Sequence, residues 1–310
     1  MITDVLLLAD VFENFRDVCS KNYGLDPAWY YTAPVLSWDA MLKLTKVNLE
    51  LLTNYEMLMM VNKGIRGGVS MIPTRYAKAN NPYMKDYDPN LPTKFIVYLD
   101  ANNLYGCAMS KKLPTHGFRW MTGEELKDWR NLPCILEVDL EYPERFHDLH
   151  NDYPLAPEIL DVDGVRKLTP NLHDKEKYVV HHETLKLYED LGLVVTKIHR
   201  GVTFEESEWL KPYIDLNTKL RTKASNDFEK NFFKLMTNSV FGKMMENIRK
   251  RINIDLVNSE EKARKLTCKP NYNGYKVFNE NLVAVHMKKT ELTMNKPVYL
   301  VCPSSTFRRQ

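Results

Sequence analysis

Apolar residues recur at steps of three and four from the start of the chain. Val5, Leu8, Phe12, Phe15 and Cys19 fall on one face and predict a helix over residues 3–19. A second helical pattern runs through AMLKLTKVNLELLTNYEMLMMVNKGI and stops at Gly64. The connector that follows, RGGVSMIPTRYAKANNPYMKDYDPNLPTK, is loaded with Gly, Asn, Pro and Asp. Strand-forming residues then gather at 95–99, pass into a short helix-like continuation, and gather again in CILEVDLEY. Residues 143–170 are rich in proline and acidic side chains and read as an irregular insertion. From Glu205 onward the pattern is helical, with EESEWLKPYIDLNTKLRTKA and NDFEKNFFKLMTNSVFGKMMENIRKR separated at Ser225–Asn226. Asn226 with Glu229 three residues later has the form of a capping box, so the two helices make an antiparallel hairpin. Alternation between residues 252 and 300 predicts strands at 275–278 and 282–286, while the closing VCPSSTFRRQ fits no pattern.

Composition narrows the class. With 310 residues, 44% hydrophobic and 27% charged, the chain has the balance of one large globular domain or two ordinary ones. No stretch nears the roughly 20 apolar residues that span a bilayer. DVLLLADVF is interrupted by aspartates and lacks a basic lead-in, which argues against a signal peptide. The five cysteines, Cys19, Cys107, Cys134, Cys268 and Cys302, form no CxxC pair and point to reduced thiols in a reducing compartment. The net charge of +3 is unevenly spread: between Lys211 and Arg251 ten Lys or Arg face four Asp or Glu. That local surplus suits a polyanion site, with a solvated helix face as the plain alternative.

The second helix of the hairpin sharpens that choice. At 100° per residue Lys230, Lys234, Asn238 and Phe241 share a sector of about 80° beside Gly242. Two ammonium groups, an amide and an aromatic edge on one face suit phosphate and base contact. The other candidate group is Asp100, where a hydrophobic strand ends in a carboxylate able to serve as a Mg²⁺ ligand. Alone, such a residue is more often a cap or turn former, and Tyr105 more often an ordinary half-buried aromatic. His147 and His150, or His181 and His182, lack the cysteines or third histidine expected of a zinc site. Glu137, Asp139 and Glu141 alternate on one strand and read as an exposed acidic face.

Two stretches carry a resemblance. DANNLYG at residues 100–106 and KLMTNSVFGK at 234–243 resemble motifs A and B of family B DNA polymerases, in that family's order and spacing. The chain is similar to the protein-primed branch of bacteriophages, adenoviruses, linear plasmids and Maverick/Polinton transposons. TDVLLLADVFENFR, GIRGGVSMIPTRYAKANNPY and the hairpin look like the Maverick/Polinton version. The likeness runs from Thr3 to about Leu300.

The resemblance implies an α+β fold: a right-hand palm with an antiparallel sheet, helical-hairpin fingers, an insertion between motif A and the fingers, and an exonuclease remnant at the N-terminus. The implied divisions are an exonuclease-like remnant with helical linker (1–62), a template-strand connector (63–93), the palm with motif A (94–113) and a palm with terminal-protein-region-like insertion (114–204). The fingers with motif B (205–250), a palm or second insertion region (251–300) and an aberrant tail (301–310) complete them.

It also implies roles. Asp100 is the catalytic aspartate that binds two Mg²⁺ ions, helped by the Ala101 backbone carbonyl. Tyr105 packs under the incoming sugar and excludes a 2′-hydroxyl. Lys234 and Arg221 hold the triphosphate, and Asn238 and Phe241 line the nascent base pair. Phe241 stands where the family often has Tyr, so stacking survives and a hydroxyl contact does not. Arg66, Gly67 and Gly68 sit at a YxGG-type template-strand motif whose aromatic is absent here. Lys230, Gly242 and Lys243 contact DNA. Template and primer DNA and dNTPs are the implied partners, with a terminal priming protein at residues 114–170 and no membrane. A nuclear setting follows if a eukaryotic transposon encodes the chain.

The sequence departs from the family after Phe241, where no DTD follows. NKPVYL runs into VCPSSTFRRQ, which reads as truncation before motif C. LDVDG at 160–164 precedes motif B, so Asp161 and Asp163 read as turn residues. At the other end, TDVLLLAD resembles the last exonuclease helix with Asp4 at its final acidic position, so proofreading by this chain alone is not expected. Three functions follow: a DNA-directed DNA polymerase represented by a partial chain, a non-catalytic nucleic-acid-binding remnant, and a protein-interaction module using the insertion.

Overall fold

The computed structural model describes residues 2–100 and 103–301. These form two compact units, Met1–Met244 with Pro297–Gln310 as the first and Met245–Lys296 as the second. The first contains α1 (Ile2–Tyr23), α2 (Ala33–Thr45), α3 (Tyr55–Gly64), α4 (Leu104–Met109), β1 (Leu113–Trp120), α5 (Gly123–Lys127), β2 (Cys134–Glu141) and α6 (His147–His150). It continues with β3 (Glu158–Val162), β4 (Val165–Thr169), β5 (Lys175–His181), α7 (His182–Asp190), β6 (Val194–Ser207), α8 (Lys211–Lys223) and α9 (Asp227–Met244). The second unit holds β7 (Ile252–Val257), α10 (Glu260–Thr267), β8 (Tyr272–Asn279) and β9 (Leu282–Lys288).

A four-stranded sheet in the order β1-β6-β2-β5, antiparallel throughout, organises the first unit. Side chains alternate between its faces. Ile135, Val179 and Val202 join a core with Met41, Met60, Tyr213, Met236 and Val240 of the surrounding helices. Leu136, Val138 and Val180 face the other way, into a core with Trp129, Leu185 and Tyr188. Both faces are thus covered, and β2, in the middle, is the most buried strand.

The long helix expected up to Gly64 is two helices. Lys46 adopts a left-handed φ of 52° and its N–H donates to Leu42 O, which ends α2. Asn54 Oδ1 then accepts from the N–H groups of Glu56 (2.9 Å) and Met57 (3.1 Å), which starts α3. β6 runs on to Ser207 because β1 pairs with it that far, so the helix expected from Glu205 begins at Lys211. The acidic-face expectation also fails. Glu137 is only 4% exposed, because β2 is internal and the register places Arg200 of β6 directly opposite it. Arg200 Nε donates to Glu137 at 2.7 Å, and Lys63 lies at 3.5 Å. Burial pushes the Glu137 carboxyl up, but these two cations outweigh it and hold it below the usual range. Asp139 accepts from the Lys177 N–H and pairs with His199 at 2.8 Å, while Glu141 is exposed.

Residues 143–170 are more regular than expected. β3 and β4 form a hairpin whose two-residue turn, Asp163 (φ 52°) and Gly164 (φ 77°), is left-handed at both positions, as a tight hairpin turn requires. Asp163 is the turn residue expected; Asp161 lies within β3 opposite Arg166. The helical hairpin forms as expected. Asn226 Oδ1 accepts from Glu229 N–H at 2.9 Å, and the Glu229 carboxylate closes on Ser225 N–H at 3.2 Å. Tyr213 of α8 donates to Met236 O of α9 at 3.2 Å, locking the pair.

In the second unit β7-β9-β8 make an antiparallel sheet, with Val257, Val285 and Met287 packed against Ala263 and Leu266 of α10. The two strands expected there are present and longer, as β8 and β9. No helix among the described residues is long and apolar enough to cross a membrane. Cys19, Cys107, Cys134 and Cys268 are free thiols, and Cys302 and the closing tail after Val301 lie outside the described residues.

Candidate nucleotide-binding site

Residues 95–99 carry β-branched and aromatic side chains, yet they form no strand. Lys94 makes an isolated bridge with Asn80, and beyond it every residue to Asp100 is exposed, Leu99 at 85%. A strand exists only where a neighbour takes its N–H and C=O groups, and among the described residues none lies alongside. The expected rigid strand that presents Asp100 is therefore replaced by an exposed segment without regular secondary structure.

The turn beyond it is ordered. Asn103 sits in the left-handed region at φ 58° and its carbonyl accepts from Cys107 N–H at 2.9 Å, opening α4. A Cβ at Gly106 would collide with the Asn103 carboxamide, so the glycine makes room for that side chain. α4 packs against α8 and α9, and its Tyr105 ring meets Phe241 of α9, centroids 4.7 Å apart at 58°. Tyr105 remains 37% exposed and Phe241 only 7%.

α9 buries Phe232, Phe233, Met236, Val240 and Met244 on the core side. Lys230 and Lys234 are exposed, Asn238 is half-buried, and Phe241 is buried against Tyr105, so the predicted face runs from solvent into the site. Lys230 pairs with the exposed Asp227 at 3.3 Å. Among the described residues the Lys234 and Arg221 side chains make no hydrogen bond or ion pair, and both are exposed. Gly242 is exposed and helical, and Lys243 is half-buried.

Asp100 is exposed, and no group of three metal-ligating side chains forms around it among the described residues. The Ala101 carbonyl lies outside them. Arg66 is engaged with the sheet: it donates to Val179 O at 2.6 Å and lies 3.7 Å over the Tyr178 ring. Gly67 and Gly68 are exposed, neither has a left-handed φ, and a Cβ at either would meet nothing within 4 Å. Neither the turn nor the packing around them demands glycine.

Residues 1–300 match the family DNA polymerase type B, organellar and viral, and the chain belongs to that family. Solved structures of Phi29 DNA polymerase share its fold. The complex with primer-template DNA and incoming nucleotide is 17% identical with a TM-score of 0.54, over 89% of this chain and 44% of that one. The binary complex with primer-template DNA is 18% identical, TM-score 0.54, over 93% and 45%. The complex with single-stranded DNA is 16% identical, TM-score 0.54, over 94% and 45%. This chain therefore spans less than half the length of those polymerases. No curated protein matches it.

The sequence alone suggested the α9 face and Tyr105. It did not single out the Asn103–Gly106 pair that sets the Tyr105 turn, nor the Glu137–Arg200–Lys63 cluster. The first was hidden inside NNLYG, where Asn before a helix followed by a nearby Gly is a legible turn signal. The second depends on strand register, which no local pattern carries.

Proposed function

We propose that this chain carries the nucleotide-binding part of a protein-primed, template-directed DNA polymerase of the Maverick/Polinton type. The observation behind it is the Tyr105–Phe241 contact, which joins the motif A turn to the motif B helix beside exposed Lys234 and Arg221. In this reading the four-stranded sheet and α4 are palm, α8 and α9 are fingers, α1 belongs to the exonuclease boundary, and residues 114–170 meet a terminal priming protein. Tyr105 lies under the incoming deoxyribose and excludes a 2′-hydroxyl. Phe241 and Asn238 border the base pair, and Lys234 and Arg221 neutralise the triphosphate as point and forked charges. Gly67, Gly68 and Gly242 leave backbone open to a close-lying strand, a role suggested by the absence of any internal need for glycine there. Lys230 and Lys243 extend the basic track, and Arg66 braces the connector against β5.

Asp100 fits Mg²⁺ shared with substrate phosphates, since that ion accepts one or two carboxylates and keeps its other positions for phosphate and water. Ions held there by Asp100 would supply positive charge to stabilise the reacting phosphate in the transition state. The chain's own residues orient the triphosphate and the sugar so that a primer 3′-hydroxyl lies in line with the α-phosphorus.

A second reading, nucleic-acid binding without turnover, is favoured by the exposed, unpaired state of the segment bearing Asp100. Primer extension with the purified chain, Mg²⁺ and dNTPs, beside Asp100→Ala, separates the two. Template-dependent extension lost in Asp100→Ala supports the polymerase. Salt-sensitive DNA binding with no extension in either protein supports the second reading.

A further inference from the structure

Far from α9 in sequence, the β5–α7 corner gathers a different set of groups. His181 ends β5 and His182 begins α7. On a continuous strand two adjacent side chains point to opposite faces. Here the chain leaves the strand between them, and the two rings come together with centroids 4.3 Å apart. Glu206, near the end of β6, completes the group: one ligating atom from each of His181, His182 and Glu206 lies within 4.8 Å of the others.

We propose that His181, His182 and Glu206 form a binding site for one divalent transition-metal ion, of which Zn²⁺ is the archetype. Two imidazoles and a carboxylate are a common protein ligand set for that ion, which leaves a fourth position for water or another side chain. Bonds of about 2.1 Å in a tetrahedron place ligand atoms about 3.4 Å apart, so side-chain rotation alone closes the group.

The surroundings match. His182 Nδ1 is 3.2 Å from the carbonyl oxygen of Cys134. The Cys134 N–H also donates to Nδ1 at 3.2 Å, so an ion on Nε2 selects the other tautomer, with Nδ1–H donating to the carbonyl, the outer hydrogen bond that fixes ligating histidines elsewhere. Glu183 Oε1 stands 3.1 Å from the same Nε2 and becomes a candidate fourth ligand. His181 and His182 are both buried. Among the described residues the half-buried Glu206 side chain makes no hydrogen bond or ion pair. The cations Lys112 and Lys186 act on Glu206 from nearby, and Lys186 is in turn paired with Glu183 at 3.0 Å. The adjacent Cys134 Sγ donates to the Trp129 carbonyl at 3.8 Å. An ion here would clip the β5–α7 corner to β6, the strand that feeds the helical hairpin.

The test uses the whole chain, stripped with chelator and titrated with Zn²⁺ by calorimetry, and with Co²⁺ by visible absorption. One saturable Zn²⁺ equivalent, the intense bands of four-coordinate Co²⁺, and a raised Tm with Zn²⁺ are expected. His181→Gln and Glu206→Gln should each weaken binding at least about tenfold. His147→Gln, at the other histidine pair, should bind as the unaltered chain does. The Co²⁺ spectrum of the unaltered chain needs no variant, so misfolding of a substituted protein does not blunt the test. Absence of saturable binding and of the four-coordinate bands would overturn the proposal. So would binding that is lost in His147→Gln or survives both ligand substitutions in folded protein.

Discussion

Residues 95–99, which lead to Asp100, and α9 are held in opposite ways. α9 satisfies its backbone within itself and buries one face against α2 and α8, with Met236 and Val240 fully enclosed. Residues 95–99 have side chains as strand-prone as any in the protein, yet all five are exposed and, among the described residues, no strand pairs with them. A helix needs neighbours only for its side chains, whereas a strand needs them for its backbone as well. Helix α9 is therefore held by local hydrogen bonds plus packing.

Phe241→Ala is expected to break this contrast most severely. It removes a buried ring and the Tyr105 contact together, and should cost about 3–5 kcal/mol, read as a lowered urea midpoint. Replacing Lys234 and Arg221 together by Ala should leave stability within about 0.5 kcal/mol, because both side chains are exposed. The same variant should lower the slope of log affinity against log salt for DNA by about 2, seen in binding titrations over a salt series. An unchanged slope would remove the helix face from the nucleic-acid contact. Gly242→Ala should raise stability by up to about 1 kcal/mol, since the position is helical and open. DNA affinity should fall in that variant if a strand lies against the helix there.

Acidification reaches the framework through His150. Burial, then the neighbouring His147, holds its imidazole below the ordinary 6.5, and its Nδ1 lies 2.9 Å from the Tyr142 hydroxyl. As pH falls the unfolded chain takes up that proton first, so this share of stability is complete above about 6.5 and is lost below it. Thermal melts of His150→Gln should show a shallower decline between neutral and mildly acidic pH. The smallest effect belongs to the exposed segment: Val97→Thr should change stability by less than about 0.5 kcal/mol. A much larger loss would mean that the segment is packed in solution.

Much of the framework could be read without coordinates because its signals are local. The hairpin break at Asn226, the Asp163–Gly164 turn and the strand at Cys134–Glu141 each depend on residues a few positions apart. The face of α9 from Lys230 to Phe241 follows from helical geometry alone. Where the sequence reading failed, the missing information was a neighbour. The helix expected through Lys46 ends because one residue takes a left-handed conformation, and nothing in TKVN demands it.

Sequence by itself thus determined the helical hairpin, the turns at Asn226 and Asp163, and the order and spacing of the stretches that resemble polymerase motifs, because backbone propensity and side-chain period act over a few residues. Tertiary structure alone decided that Glu137 is buried against Arg200 rather than solvated. It decided that Tyr105 meets Phe241 from 136 positions away in the numbering. It also brought His181 and His182 to Glu206, and among the described residues set no strand beside residues 95–99. Each of those outcomes depends on which distant segment supplies a charge, a ring or a hydrogen-bonding edge, and local sequence carries no record of that partner.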